Sequence, residues 1–313
     1  MAREEAVVSN MLVRTVIATM IAANIVSSAR ADMQSGKPQA PSTVPQVTAP
    51  AEDKEGTTPL MAAAAMGKID VIQSLLDKGT DVNERSKTGA TPLMYAAYTG
   101  QPEAAKYLLS KKADPNLQNH DGYTALSVAI FKDEPDMIDL LLSSGMKVDT
   151  VDKNGATPLI GALYLGKLDA ARILLKHGAN ADYRAKGGFT GLMLAAMTGN
   201  LKAAQILIDG KADVNAETDQ GQTALLLASV KGQTDMVKLL LSSGADIHGV
   251  DVNGTTPLMA AVAGDQAETV KLLIAKGAGI DDRNNDGATA LTIAEAMQKD
   301  SMAALLRKSG AGE

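Results

Sequence analysis

Three histidines, His120, His177 and His248, are the side chains of this 313-residue chain best suited to acid–base or metal chemistry near neutral pH. Either task needs partners within a few ångströms: three or four ligands around an ion, or a nucleophile beside its base. The chain has no cysteine, which excludes thiolate ligands, thiol nucleophiles and disulfides. Aspartates are plentiful, Asp81, Asp114, Asp213 and Asp246 among them. Whether any of these groups can meet depends on the elements that carry them.

Those elements repeat. Gly56, Gly89, Gly122, Gly155, Gly188, Gly221, Gly254 and Gly287 are spaced 33 apart without a slip. Two residues after each stands a threonine, from Thr58 to Thr289, and four after each a leucine, from Leu60 to Leu291. Alanine recurs at +7, from Ala63 to Ala294, and leucine at +19, from Leu75 to Leu306. Glycine permits a tight turn at positive φ. Threonine can accept backbone N–H groups at a helix start, and the proline that follows in Pro59, Pro92, Pro158 and Pro257 suits the first helical turn. Leucine at +4 with alanine at +7, and often at +8, makes one face of a short helix, small enough for close neighbours. A glycine at +11 breaks the chain in five periods, and a second helix ends in paired aliphatics such as Leu174-Leu175. Polar turns such as Gly244-Ala245-Asp246 close each period.

In that register His120 falls on a loop tip, His177 at the end of a second helix and His248 in a turn. They belong to the second, fourth and sixth periods, so they are not expected to converge. The aspartates recur at structural positions, and no glycine-rich phosphate loop follows a strand. The sequence therefore predicts no enzyme, no cofactor and no metal site. Thirty basic against thirty-six acidic residues leave a net charge of -6, a poor match for nucleic acid.

The phrases Thr91-Pro92-Leu93 with Ala96-Ala97, and Ala212-Asp213-Val214-Asn215, resemble the two signatures of the ankyrin repeat. The resemblance covers residues 53–313 and implies an all-α solenoid of helix-turn-helix units with projecting β-hairpins, eight repeats in all. Each unit is stable only against its neighbours. The family's histidine after Thr-Pro-Leu is missing: Met61, Met94, Ser127, Ile160, Met193, Leu226, Met259 and Thr292 stand there. Packing is expected to replace its hydrogen bonds. Gly191 takes the place of proline in the fifth period, and Asp133-Glu134-Pro135 that of the usual glycine in the third. Arg307, Glu295 and Gln298 make the last unit a polar cap.

The family binds other proteins through loop tips and first helices on its concave side. At +9 the residues are Ala65, Tyr98, Phe131, Tyr164, Met197, Val230, Ala263 and Ala296, and at +1 they include Tyr123 and Phe189. With only eight aromatics in the chain, this placement reads as docking anchors. The alternative is that they fill gaps between adjacent helices. Loop positions +29 and +31 add Arg85, Lys87, Lys153, Arg184 and Lys186, then Glu217 and Asp219. A bipolar row would orient a partner more than tighten it, although any single loop charge is by default a solvated turn.

Ahead of the repeats, Arg14 is followed by the uncharged run Thr15 to Val26 and by Ser27-Ser28-Ala29-Arg30-Ala31. This is the order of a secretory signal, cleaved after Ala31, with Met11 as the expected natural start. Fifteen residues between Arg14 and Arg30 are too few for a membrane span, which needs about 20. Residues 32–52, with Pro38, Pro41, Pro45 and Pro50, read as a flexible tether. The expectation is an exported, periplasmic or secreted protein, monomeric when free, that grips another exported protein. By analogy that partner is an enzyme needing restraint, such as a cell-wall hydrolase. The alternatives are a self-associating envelope scaffold or a factor supporting a catalase in oxidative defence.

Overall fold

The computed structural model describes residues 56–312. The signal segment 1–31, Met11, the Ala31 cleavage position and the tether 32–52 lie outside these residues. The described residues fall into two compact units, 56–180 and 181–312.

The first unit holds four helix pairs. They are α1 (Pro59–Ala65) with α2 (Ile69–Asp77), α3 (Pro92–Tyr98) with α4 (Pro102–Ser110), α5 (Ala125–Lys132) with α6 (Pro135–Ser143), and α7 (Pro158–Tyr164) with α8 (Leu168–Lys176). First helices pack on first helices, α1 on α3, α3 on α5 and α5 on α7; second helices stack likewise from α2 to α8. The first helices are the core. Residues 60–65 of α1 are all buried, whereas α2 buries only Ile72. At +7, Ala96, Ala129 and Ala162 are fully buried, so backbone approaches backbone where a larger side chain would hold the helices apart.

The second unit repeats the plan with α9 (Gly191–Thr198) and α10 (Leu201–Asp209), α11 (Ala224–Val230) and α12 (Thr234–Ser242), α13 (Pro257–Ala263) and α14 (Ala267–Ala275), and α15 (Ala290–Ala296) and α16 (Asp300–Lys308). Its last pair is closed by charge. Arg307 pairs with Glu295, and the Lys299 ammonium donates to the carbonyls of Val262 and Ala263 at 3.1 and 2.9 Å, at the negative end of α13.

Threonine caps every first helix: Thr58, Thr91, Thr124, Thr157, Thr190, Thr223, Thr256 and Thr289 each accept the N–H three residues on. That N–H belongs to the residue replacing the family histidine. At six positions the replacement is apolar and buried, from Met61 at 0% to Ile160 at 8% exposed. At the other two a hydroxyl accepts in return, with the Thr124 N–H donating to Ser127 at 3.5 Å and the Thr289 N–H to Thr292 at 2.8 Å. Packing therefore replaces the histidine at six positions, one of which, Met193, also accepts the Thr190 N–H through its sulfur at 3.4 Å, and a hydroxyl capping pair does so at the other two.

The resemblance implied β-hairpins between pairs, but no β-strand occurs among the described residues. Each loop is a tight turn, as in Ser86 N–H to Ala90 at 2.9 Å and Gly89 N–H to Ser86 at 2.9 Å. One backbone bond ties a loop to the next, such as His120 N–H to Thr88 at 2.9 Å and Asp219 N–H to Gly187 at 3.0 Å. A single bond is too little for a ladder. It is close enough to forbid a side chain: a Cβ on Gly122 would lie 2.7 Å from the Lys153 nitrogen. A second tie lies between the tips of successive turns. The side chains of Asn83, Asn116 and Asn215 accept the N–H of Asp114, Lys147 and Asp246, all at 2.8 Å.

Two unfavourable local features of the second unit can be relieved by single substitutions. Lys211 holds the left-handed conformation, φ 68°, at a place filled by glycine in most other pairs. Ser229, fully buried in α11, has a hydroxyl with no hydrogen-bond partner. Lys211→Gly is expected to raise unfolding stability by about 0.5–1 kcal/mol, the left-handed penalty less the added freedom of the unfolded chain. Ser229→Ala is expected to stabilise by about 1 kcal/mol by removing an unsatisfied buried hydroxyl. Urea denaturation followed by circular dichroism checks both.

Candidate protein-docking surface

In the first unit, position +9 is the last or penultimate residue of each first helix. Tyr98 and Phe131 there are half-buried, and Tyr164 is 37% exposed. The Lys132 ammonium lies 4.5 Å from the centre of the Tyr98 ring, so part of that ring already stacks against its neighbour. Tyr98 thus reaches the next helix pair while part of its ring stays in solvent, and Tyr164 is the most open of the three.

Tyr123 and Phe131 come together. With Ile130, Asp152, Gly161 and Leu165 they line a cleft of about 70 Å³ between the third and fourth pairs. α5 supplies Ile130 and Phe131, the loop before α5 supplies Tyr123, and α7 with its C-cap supplies Gly161 and Leu165. Leu165 and nearby Val151 are each 40% exposed, so apolar surface continues beyond the cleft. Asp152 borders it, with Oδ1 fixed by the N–H groups of Asn154 and Ala156 at 2.9 Å. Burial raises the Tyr123 phenol above its ordinary value, and the negative charges of Asp152 and Asp121 raise it further. Two carboxylates thus lie close enough to this phenol to act on it.

Gly161 opens the cleft. It sits inside α7 with helical neighbours, and a Cβ added there would meet nothing within 4 Å. Elsewhere the same register position carries a side chain: Ala62, Tyr95, Val128, Leu194, Leu227, Ala260 and Ile293. No close approach requires glycine here, yet a glycine inside a helix costs about 1 kcal/mol against alanine. This residue was missed in the sequence, although its signal, a lone glycine at a position otherwise filled, was readable there.

The loop cations divide. Arg85 donates to the Gly89 carbonyl at 3.3 Å and to the Gln118 carbonyl, and Gln118 donates in the same way to Gly122 at 2.7 Å and Val151 at 2.8 Å. Arg85 and Gln118 at +29 are therefore clamps between successive loops, a role the sequence reading, which offered Arg85 as a partner contact or a solvated turn, did not contain. Lys87 and Lys153 are exposed.

In the second unit Met197 is half-buried, and Arg184 and Lys186 are exposed. Arg184 pairs with Asp219 at 3.2 Å. The basic and acidic tips expected to face a partner separately are thus joined to each other. Phe189 corrects the expectation for position +1: it is only 5% exposed. A 3-10 turn over Lys186–Gly188, with Gly187 and Gly188 both at positive φ, folds the ring back against Gly187 and into the core.

His177 and Asp139 are 2.9 Å apart, and this hydrogen bond holds the Asp139 carboxyl below its ordinary value. His248 lies 4.0 Å from Asp282. Among the described residues no three ligating side chains gather to hold an ion, and no helix is long and apolar enough to cross a membrane.

Stacked helix pairs that share a core, leave apolar side chains half-open and tie their loops together define a repeat protein built for contact with other chains. Residues 39–119, 100–186, 179–251 and 243–312 each match the family described as ankyrin repeats (3 copies), and the chain belongs to that family. No curated protein matches it. Among solved structures it is similar to the ankyrin repeat domain of Bcl-3, a member of the IκB protein family. The two are 28% identical over 66% of this chain and 95% of that one, with a TM-score of 0.63. Ankyrin repeats are protein–protein interaction modules.

If the cleft exists because Gly161 lacks a side chain, Gly161→Ala should fold normally and gain up to about 1 kcal/mol of stability. Thermal denaturation of the two proteins measures it, and a loss of stability would mean that the glycine serves the helix.

Proposed function

We propose that this chain is an exported binding protein of eight ankyrin repeats, each helix pair with its loop counting as one. It grips a second exported protein through the first-helix and loop surface around Tyr98, Phe131, Tyr164 and Tyr123. The observation that carries this reading is the concentration of partly open aromatics, with exposed Leu165 and Val151, around the third and fourth pairs. Export rests on the sequence order of Arg14, an uncharged apolar run and the small-residue exit at Ala31. In this reading the Pro-rich segment 32–52 is a leash, and the free protein is a monomer.

The role is restraint or support of an exported enzyme, with a cell-wall hydrolase as the favoured class of partner. Analogy with inhibitor proteins supports it. The bound enzyme loses or changes activity, and the ankyrin chain contributes no catalytic group.

Affinity capture from periplasmic extract, with the purified mature chain as bait, is expected to recover one dominant protein. A bait carrying Tyr98→Ala, Phe131→Ala and Tyr164→Ala together should recover at least about tenfold less, since anchor aromatics each contribute on the order of 1–2 kcal/mol. Equal recovery by both baits would remove the surface from consideration. N-terminal sequencing of the exported chain should begin at Asp32.

A further inference from the structure

The cleft at Gly161 has a shape and a charge that select among occupants. Its volume of about 70 Å³ is under half of the ~150 Å³ that accepts a benzene ring in an apolar protein cavity. The cleft is open to solvent on one side, so its charge discriminates among entering side chains more than its size does. Tyr123, Phe131, Ile130 and Leu165 line it together with the polar residues Ser127, Thr157 and Asp152, of which Asp152 alone carries charge. Asp121 adds a second negative charge, against exposed Lys153 next along the loop.

We propose that the cleft receives an arginine side chain from the protein partner. Its methylene stem lies in the space left by Gly161, its guanidinium plane stacks on Tyr123 or Phe131, and its N–H groups meet Asp152. Charge complementarity chooses this occupant over a leucine or methionine, which would leave the acidic edge without a counter-charge. The planar guanidinium chooses it over lysine, because it can stack and donate together. The proposal rests on the protein-binding reading above and adds the chemistry of the contact. It also gives Gly161 a purpose, since any larger residue there would fill the socket.

The test uses the full chain and three blocked peptides, acetyl-Gly-Arg-Gly-amide and its leucine and glutamate counterparts, titrated while the methyl signals of Ile130 and Leu165 and the ring of Tyr123 are followed by NMR. The arginine peptide should shift these signals saturably, at least about threefold more tightly than the leucine peptide, and the glutamate peptide should not shift them. Asp152→Asn, which keeps an acceptor for the loop amides, should weaken the arginine peptide by about threefold or more. Gly161→Leu should abolish its binding, and the smaller Gly161→Ala should weaken it in a chain that remains folded. Equal binding of the leucine and arginine peptides overturns the proposal, as does an absence of shifts with the arginine peptide or undiminished binding to both Gly161 variants. In the capture experiment, a partner kept by Gly161→Leu but lost from the triple alanine bait would overturn the socket alone. A wild-type bait that recovers nothing would overturn the protein-binding reading instead.

Discussion

A helix of seven to nine residues does not hold together alone in water, where about 12–15 are needed for even marginal stability. All sixteen α-helices among the described residues are this short. They exist because, within each unit, each buries a face against the equivalent helix of a neighbouring pair. The small residue at +7 sets the spacing: Ala96, Ala129, Ala162, Ala228 and Ala261 are all wholly buried. Threonine caps and left-handed turns then lower the cost of starting and stopping so many short elements. A change in the seam is felt by two pairs, while a change on the open surface is felt by one side chain. That division frees the open surface to vary in favour of binding.

Helix starts, seam and turns were legible in the sequence because one residue type at one spacing causes each. The Gly, Thr, Leu and Ala registers correspond directly to the tight loop, cap, core contact and helix spacing found in the structure. What resisted reading depends on two periods at once. Arg85 and Gln118 look like solvated loop residues until the next loop's carbonyl is placed beside them. Phe189 occupies the same register position as half-buried Tyr123, and the difference comes from Gly187 just before the periodic Gly188. The hairpins implied by resemblance reduce to turns, since the loops share only single backbone bonds.

The lost histidine shows the same limit. Its absence was plain, and packing was the natural substitute. Ser127 and Thr292 nonetheless take up the N–H of Thr124 and Thr289 by a hydroxyl, because an oxygen one bond from Cβ at the third helical position reaches back to the cap. The residue's chemistry was visible, but its geometry became decisive only with the helix start in place.

Gly161 is where local and collective demands disagree. In a helix this short, sustained by its neighbours, an alanine would hold the backbone better and meet no obstruction. Every constraint that explains the other periodic residues therefore argues against this one. The single consequence of its missing Cβ is open space between Tyr123, Phe131 and Leu165, beside a carboxylate anchored by two loop amides. Locally unfavourable choices tend to mark places where function competes with folding. In this chain that place coincides with the cluster of half-open aromatics, so in the proposed reading the stability given up in α7 and the docking surface are two aspects of one arrangement.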